Sequence, residues 1–91
     1  MKAITLQIGN TDDKLTQKER SAFHAAMNTA VTYFAKRLHF SGLSPSDQPK
    51  QNACWVFEID EDEELRAAVT RIRHDYRQDS AAWCAGETEF I

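Results

Sequence analysis

The stretch Asn52-Ala-Cys-Trp-Val-Phe-Glu-Ile59 decides the fold. Trp55, Phe57 and Ile59 alternate with Cys54, Val56 and Glu58, so that one set of side chains points to each side of an extended backbone. Its run Ala53–Phe57 is five residues, and no uninterrupted apolar stretch in the chain is longer. A membrane span needs about 20 such residues, so this is a strand of a globular core. On its C-terminal side the period changes. Leu65, Ala68, Val69, Ile72 and Tyr76 recur at helical spacing, with Asp60 and Glu63 at the start and Arg71, Arg73, His74 and Arg77 towards the end. Acids favour the N-terminus of a helix and bases its C-terminus, so a helix from about Glu61 to Arg77 accounts for this basic cluster without a polyanionic partner.

On the N-terminal side, Ser41–Gln51 (SGLSPSDQPKQ) contains one glycine, two prolines and no aromatic residue. It reads as a loop longer than the usual connection of about 4–6 residues. Before it, Phe23, Met27, Ala30, Val31, Phe34 and Leu38 form an apolar stripe, while Lys18, Asn28, Thr32 and Lys36 fall on other sides. With the capping box Thr16-Gln-Lys-Glu19 at its start, this predicts a long amphipathic helix over about Thr16–His39. At about 1.5 Å per residue such a helix is about 35 Å long and overhangs any short strand beneath it. The first segment, Lys2–Ile8, alternates Ile4, Leu6 and Ile8 with Ala3, Thr5 and Gln7, as a half-buried strand does. The ending, Ala81–Ile91, reads as strand, and Gly86 either bends it or turns a hairpin.

The order β-α-β-α-β(β) predicts an α/β (α+β) two-layer sandwich with both helices on one face of a three- or four-stranded sheet. A right-handed crossover from the first strand would make Asn52–Ile59 parallel to it. That direction is favoured, although a long loop that wraps back would make the pair antiparallel. At 91 residues and 42% hydrophobic content, residues 1–91 form one domain with one core. Two helices cover one side of the sheet. The side that carries Ala3, Thr5, Gln7, Cys54, Val56 and Glu58 is left bare.

Composition excludes several functions. With 14 acidic against 11 basic residues, the chain has no net positive field to displace phosphate counterions, and nucleic acid is not an expected partner. No secretory signal is read in the alternating Met1–Gly9 segment, so a cytoplasmic location is expected. Cys54 and Cys84 match no metal or redox spacing and read as reduced thiols, unless their strands are neighbours and a disulfide joins them. No phosphate loop, nucleophile elbow or zinc signature occurs, and His24, His39 and His74 each have a structural explanation on their helices. No catalytic residue, metal ligand or cofactor is therefore expected, and the chain reads as a non-enzyme.

Polar residues do crowd three junctions. If the last strand lies antiparallel beside the first, Asn10, Asp12, Asp13 and Lys14 meet Arg77, Gln78 and Asp79 at one sheet edge, with Gln51 and Asn52 at a further junction. Turn and cap chemistry explains such residues in general, yet together they are the candidate ligand or partner site. Trp55 and Trp83 join them as rings that either pack in the core or anchor a partner, and Tyr33 and Phe40 are further candidates for exposed aromatics. Asp12, Asp13 and Asp79 are the residues a metal-dependent hydrolase would use.

Three blocks, LQIGNTDDKLTQ, QNACWVFEI and YRQDSAAWCAGETEFI, resemble those of short uncharacterised proteins of bacteria and their phages or mobile elements. The resemblance carries no named fold and no residue roles. It implies a small accessory protein. The expected function is a protein-binding module, an inhibitor or regulator of phage or mobile-element type with anti-defence action among its uses. The alternative is a binder of a small polar ligand or nucleotide. In either case a homodimer or higher oligomer fits so small a chain.

Overall fold

The structure is a computed structural model and describes residues 2–9, 15–44, 52–86, 89 and 91. Its elements run β1 (Lys2–Gly9), α1 (Gln17–Phe34), β2 (Arg37–Leu43), β3 (Asn52–Ile59), α2 (Glu63–Asp75) and β4 (Ala82–Gly86). The four strands form one sheet in the order β2-β3-β1-β4. Each neighbouring pair is antiparallel, with Leu6 opposite both Trp55 and Trp83. Consequently β1 and β2 run parallel with β3 between them, and β3 and β4 run parallel with β1 between them. This is the split βαβ arrangement of ferredoxin-like domains.

Two expectations are corrected. Asn52–Ile59 is antiparallel to β1, not parallel, because the segment preceding it contains an edge strand and is not a simple loop. The crossover from β1 through α1 ends on β2, and β2 then turns back into β3. The first helix also stops at Phe34, where Ala35 turns to an extended conformation (ψ 137°) and Lys36 N–H donates to the Glu58 carbonyl. Leu38 therefore lies on β2. At 18 residues α1 is about 27 Å long, close to the length of the eight-residue β1 and β3 beneath it.

The apolar stripes meet as their spacing implies. Ile4, Leu6 and Ile8 from β1 and Ala53, Trp55, Phe57 and Ile59 from β3 lie buried under Phe23, Met27 and Val31 of α1 and Leu65, Ala68 and Val69 of α2. Phe23 and Tyr76 join the two helices with ring centroids 5.2 Å apart. Full burial of one such side chain contributes about 1.5–3 kcal/mol, whereas an exposed ion pair such as Lys36–Asp60 contributes at most about 1 kcal/mol. The core therefore dominates stability. No helix among the described residues is long and apolar enough to cross a membrane.

The helix ends follow local chemistry. Glu19 N–H donates to Thr16 Oγ1 and Thr16 N–H donates to Glu19 Oε1, completing the predicted capping box. At the other helix, Gln78 N–H donates to the Arg73 carbonyl and Arg77 N–H to the His74 carbonyl, a Schellman turn. It requires a left-handed residue, and Arg77 supplies it with φ 58°. Asp62 takes the N-cap position of α2 without a side-chain cap bond. Its carboxylate instead accepts from Lys2 Nζ at 2.9 Å.

Candidate functional site

The helices cover one face of the sheet. By alternation from the buried set, the other face carries Ala3, Thr5 and Gln7 on β1, Asn52, Cys54, Val56 and Glu58 on β3, and Ala82, Cys84 and Gly86 on β4. Edge strand β2 completes it. Phe40 is opposite Val56 and Gly42 opposite Cys54, so both lie on this open face. A β-bulge at His39 sets this register.

Most of the face is uncharged, and its floor is built from small residues. Phe40 is the large exception, 56% exposed and folded over Gly42 so closely that a Cβ there would meet its ring at 2.7 Å. Among the described strand residues of the face, the charged ones gather at one corner. Arg37 is opposite Glu58 in register, and His39 Nε2 lies 3.1 Å from Glu58 Oε2. Among the described residues, β1 and β4 add no charge to this face.

At the opposite end of the face lies a trough of about 730 Å³. Gln7 and Gly9, Phe40 and Gly42, Asn52 and Cys54, and Gln78, Asp79 and Ala82 contribute to its walls. Asn10, Asp12, Asp13 and Lys14, expected to meet Gln78 and Asp79 here, lie outside the described residues. Antiparallel β4 brings Gln78 and Asp79 to the end of β1, beside Asn52. Arg73 holds that connection by donating from Nη1 to the Gln78 carbonyl at 2.7 Å and to the Asp79 carbonyl at 3.3 Å. Gln78 is only 6% exposed, and its Nε2 donates to the Tyr76 carbonyl.

Other candidates lie elsewhere. Arg77 is not part of the trough wall, and its Nη2 donates to Glu19 Oε2 at 2.6 Å. Trp55 is fully buried, donates from Nε1 to Asn28 Oδ1 at 3.0 Å and stacks on His24 with centroids 5.2 Å apart. It is a core residue and offers no surface to a partner. Trp83 also faces the helices, against Phe57 at 6.1 Å and beneath the Arg66 guanidinium at 5.6 Å. Asn10, Asp12, Asp13, Lys14 and Gln51 lie outside the described residues. Among those described, no group of three His, Cys, Asp or Glu residues is placed to hold a metal ion.

Cys54 and Cys84 are both free, and the open face explains why. Cys54 is opposite Gln7 and Cys84 opposite Thr5, so β1 separates them. Two strand spacings put their Cα atoms about 10 Å apart or more, beyond disulfide reach of about 7 Å. Sequence reading had placed Cys54, Val56, Thr5 and Gln7 on the bare side. It missed Gly42 and the use of Phe40 and His39, because nothing marked β2 as a strand.

No protein-family model and no curated protein sequence matches the chain. Among solved structures it is similar to the C-terminal domain of the MgtC protein from Mycobacterium tuberculosis, with 12% identity, a TM-score of 0.58, and coverage of 96% of this chain and 89% of that one. A dimeric ferredoxin-like protein from an uncultured marine organism matches at 13% identity over 99% of this chain and 90% of that one, with a TM-score of 0.38. The first likeness shows a shared fold and nothing of shared activity, and the second is too distant to carry an argument.

Proposed function

We propose that this chain is a small non-enzymatic protein-binding module that docks its partner on the uncovered sheet face, and that it serves as an inhibitor or regulator of the type carried by phages and mobile elements. The supporting observation is the face itself. Four strands about 4.8 Å apart and averaging about seven residues give it about 450 Å² in projection. The largest apolar patch on a typical monomer, about 300–600 Å², is often functional, and this largely neutral face is of that size. Small side chains on β1, β3 and β4 let another backbone layer approach closely, and Phe40 supplies an aromatic anchor of the kind enriched at interfaces. The phage or mobile-element part of the reading comes from the sequence resemblance alone, which implies a small accessory protein.

Affinity capture from bacterial lysate with the wild-type chain and Thr5→Arg tests this. Thr5 lies mid-strand on the face, opposite Val56 and Cys84. The wild type retains a partner at fixed stoichiometry and Thr5→Arg loses it while keeping its circular dichroism spectrum. Equal capture by both proteins overturns the reading.

The trough favours a second reading, a binder of a small polar ligand. Its volume falls within the range of about 300–1,000 Å³ typical of ligand sites, and Gln7, Asn52 and Asp79 provide polar groups. A thermal-shift screen with nucleotides and other small polar compounds checks it. No rise in melting temperature at millimolar ligand rejects it.

A further inference from the structure

We infer that the occupant of the open face, in the isolated protein, is a second copy of this chain, with the two sheets packed face to face in a symmetric dimer. The inference rests on the reading of this face as the docking surface and goes one step further by naming what covers it.

Electrostatics permits the pairing. The chain carries a formal net charge of -3, which would oppose self-association if spread over the contact. On this face, however, the charged residues are matched within the chain: Glu58 is opposite Arg37 and 3.1 Å from His39. Among the described residues the remaining strand positions, from Thr5 and Val56 to Cys84, are neutral, and Asp79 stands at the far end in the trough wall, so the middle of the face presents no line of like charge to a second copy.

Shape permits it too. A two-fold contact uses the same patch twice, so the patch must carry both a projection and a recess. Phe40, 56% exposed and folded over Gly42, raises the β2 side of the face and forms one wall of the trough that runs on to Gln7, Cys54 and Ala82. A floor of small residues suits stacking of two sheets at about 10 Å.

Area sets the strength. Two faces of about 450 Å² bury about 900 Å² in projection, with side-chain relief adding to this. That is close to the lower limit of about 1,000 Å² for a specific interface. The dimer is therefore expected to be weak and reversible, dissociating on dilution.

Sedimentation equilibrium of the purified chain over a wide concentration range tests this. The wild type should reach twice the monomer mass at high concentration and fall towards it on dilution. Thr5→Arg and Cys84→Arg, on neighbouring strands of the face, should stay at monomer mass with native circular dichroism. Tyr33→Glu, on the exposed side of α1, should dimerise like the wild type. Monomer mass for the wild type at every concentration overturns the inference. So does a dimer that persists in both folded face variants. If the wild type is monomeric while Thr5→Arg still abolishes capture from lysate, the docking reading stands and only the second copy is rejected. If lysate capture is indifferent to Thr5→Arg, the docking reading fails on its own test.

Discussion

Arg77 Nη2 donates to Glu19 Oε2 at 2.6 Å, joining the residue just past the end of α2 to the capping box that starts α1. Arg77 holds its position in spite of its backbone, since φ 58° is a conformation that glycine adopts at far lower cost. Arg77→Gly and Arg77→Ala both remove the guanidinium, but only Gly relaxes the turn. Urea unfolding should therefore find Arg77→Gly about 1 kcal/mol more stable than Arg77→Ala. Equal midpoints would show that the left-handed turn carries no strain.

The same contact sets the acid behaviour of Glu19. Its carboxyl is held below the usual 4.5, chiefly by the Arg77 hydrogen bond and then by the Thr16 backbone N–H. A depressed folded-state pKa stabilises the protein at pH above the unfolded value, and the contribution disappears as pH falls through the folded value. An NMR titration of the Glu19 side chain should place its midpoint below 4.5 in the wild type and closer to 4.5 in Arg77→Ala. A midpoint that does not move would assign the shift to the helix start alone.

Lys2 pairs at 2.9 Å with a buried partner, since the Asp62 side chain is 6% exposed. Lys2 holds the Asp62 carboxyl below 3.8 by its hydrogen bond, against the opposing effect of burial, and Arg66 adds a weaker attraction from 4.0 Å. Lys2→Met leaves that carboxylate enclosed with less compensation. The melting temperature at pH 7 should fall clearly in Lys2→Met and hardly at all in Lys36→Met, whose partner Asp60 is exposed. By the same sign argument, the gap between Lys2→Met and the wild type should narrow as pH falls through the folded-state value of Asp62, because the wild type then loses the stabilisation that the variant already lacks.

Much of this molecule is legible in one dimension because its strands β1 and β3 and both helices each bury one side. Alternation at Ile4, Leu6 and Ile8 and helical recurrence at Phe23, Met27 and Val31 report that burial directly. Strand β2 leaves no such mark. Six of its seven residues are exposed, the bulge at His39 breaks its alternation, and Leu38 stands in phase with the apolar stripe of α1. It is held by backbone pairing to β3, which composition does not encode. Missing that strand reversed the direction expected for β3. It also hid how Phe40 and Gly42 complete the open face, although the bare side of the other strands was evident from Thr5, Gln7 and Val56. At the trough, Asn52, Gln78 and Asp79 were legible as polar junctions. Their meeting depends on strand order, which is a property of the whole sheet.

Gly42→Ala probes how firmly Phe40 is seated. The new Cβ would lie 2.7 Å from Phe40 Cζ, so the ring must move. Phe40 is exposed and has room to swing, so the stability change should stay within about 0.5 kcal/mol, as for a surface substitution. Its aromatic proton resonances should nevertheless shift. A loss of several kcal/mol would mean that the Phe40 ring supports β2 itself.

Asn28 is the clearest case of a polar helix residue whose role lies in the core. By spacing it falls outside the apolar stripe of α1, yet its Oδ1 accepts the Trp55 indole N–H at 3.0 Å, while His24, one turn earlier, stacks on the same ring. Trp55 is fully buried. Asn28→Ala removes the acceptor and leaves that N–H enclosed by apolar neighbours, which costs about 1–3 kcal/mol for an unsatisfied buried donor. Exposed polar positions on the same helix, such as Thr32, should tolerate alanine within about 0.5 kcal/mol. Urea unfolding of Asn28→Ala should therefore show a lower midpoint with an unchanged slope, because the fold and its buried area are retained. In a Trp83→Phe background, where Trp55 is the remaining indole, the Trp55 indole N–H resonance should also move upfield as its hydrogen bond is lost. An unchanged midpoint would mean that water replaces the amide and that Trp55 is less enclosed than its packing implies.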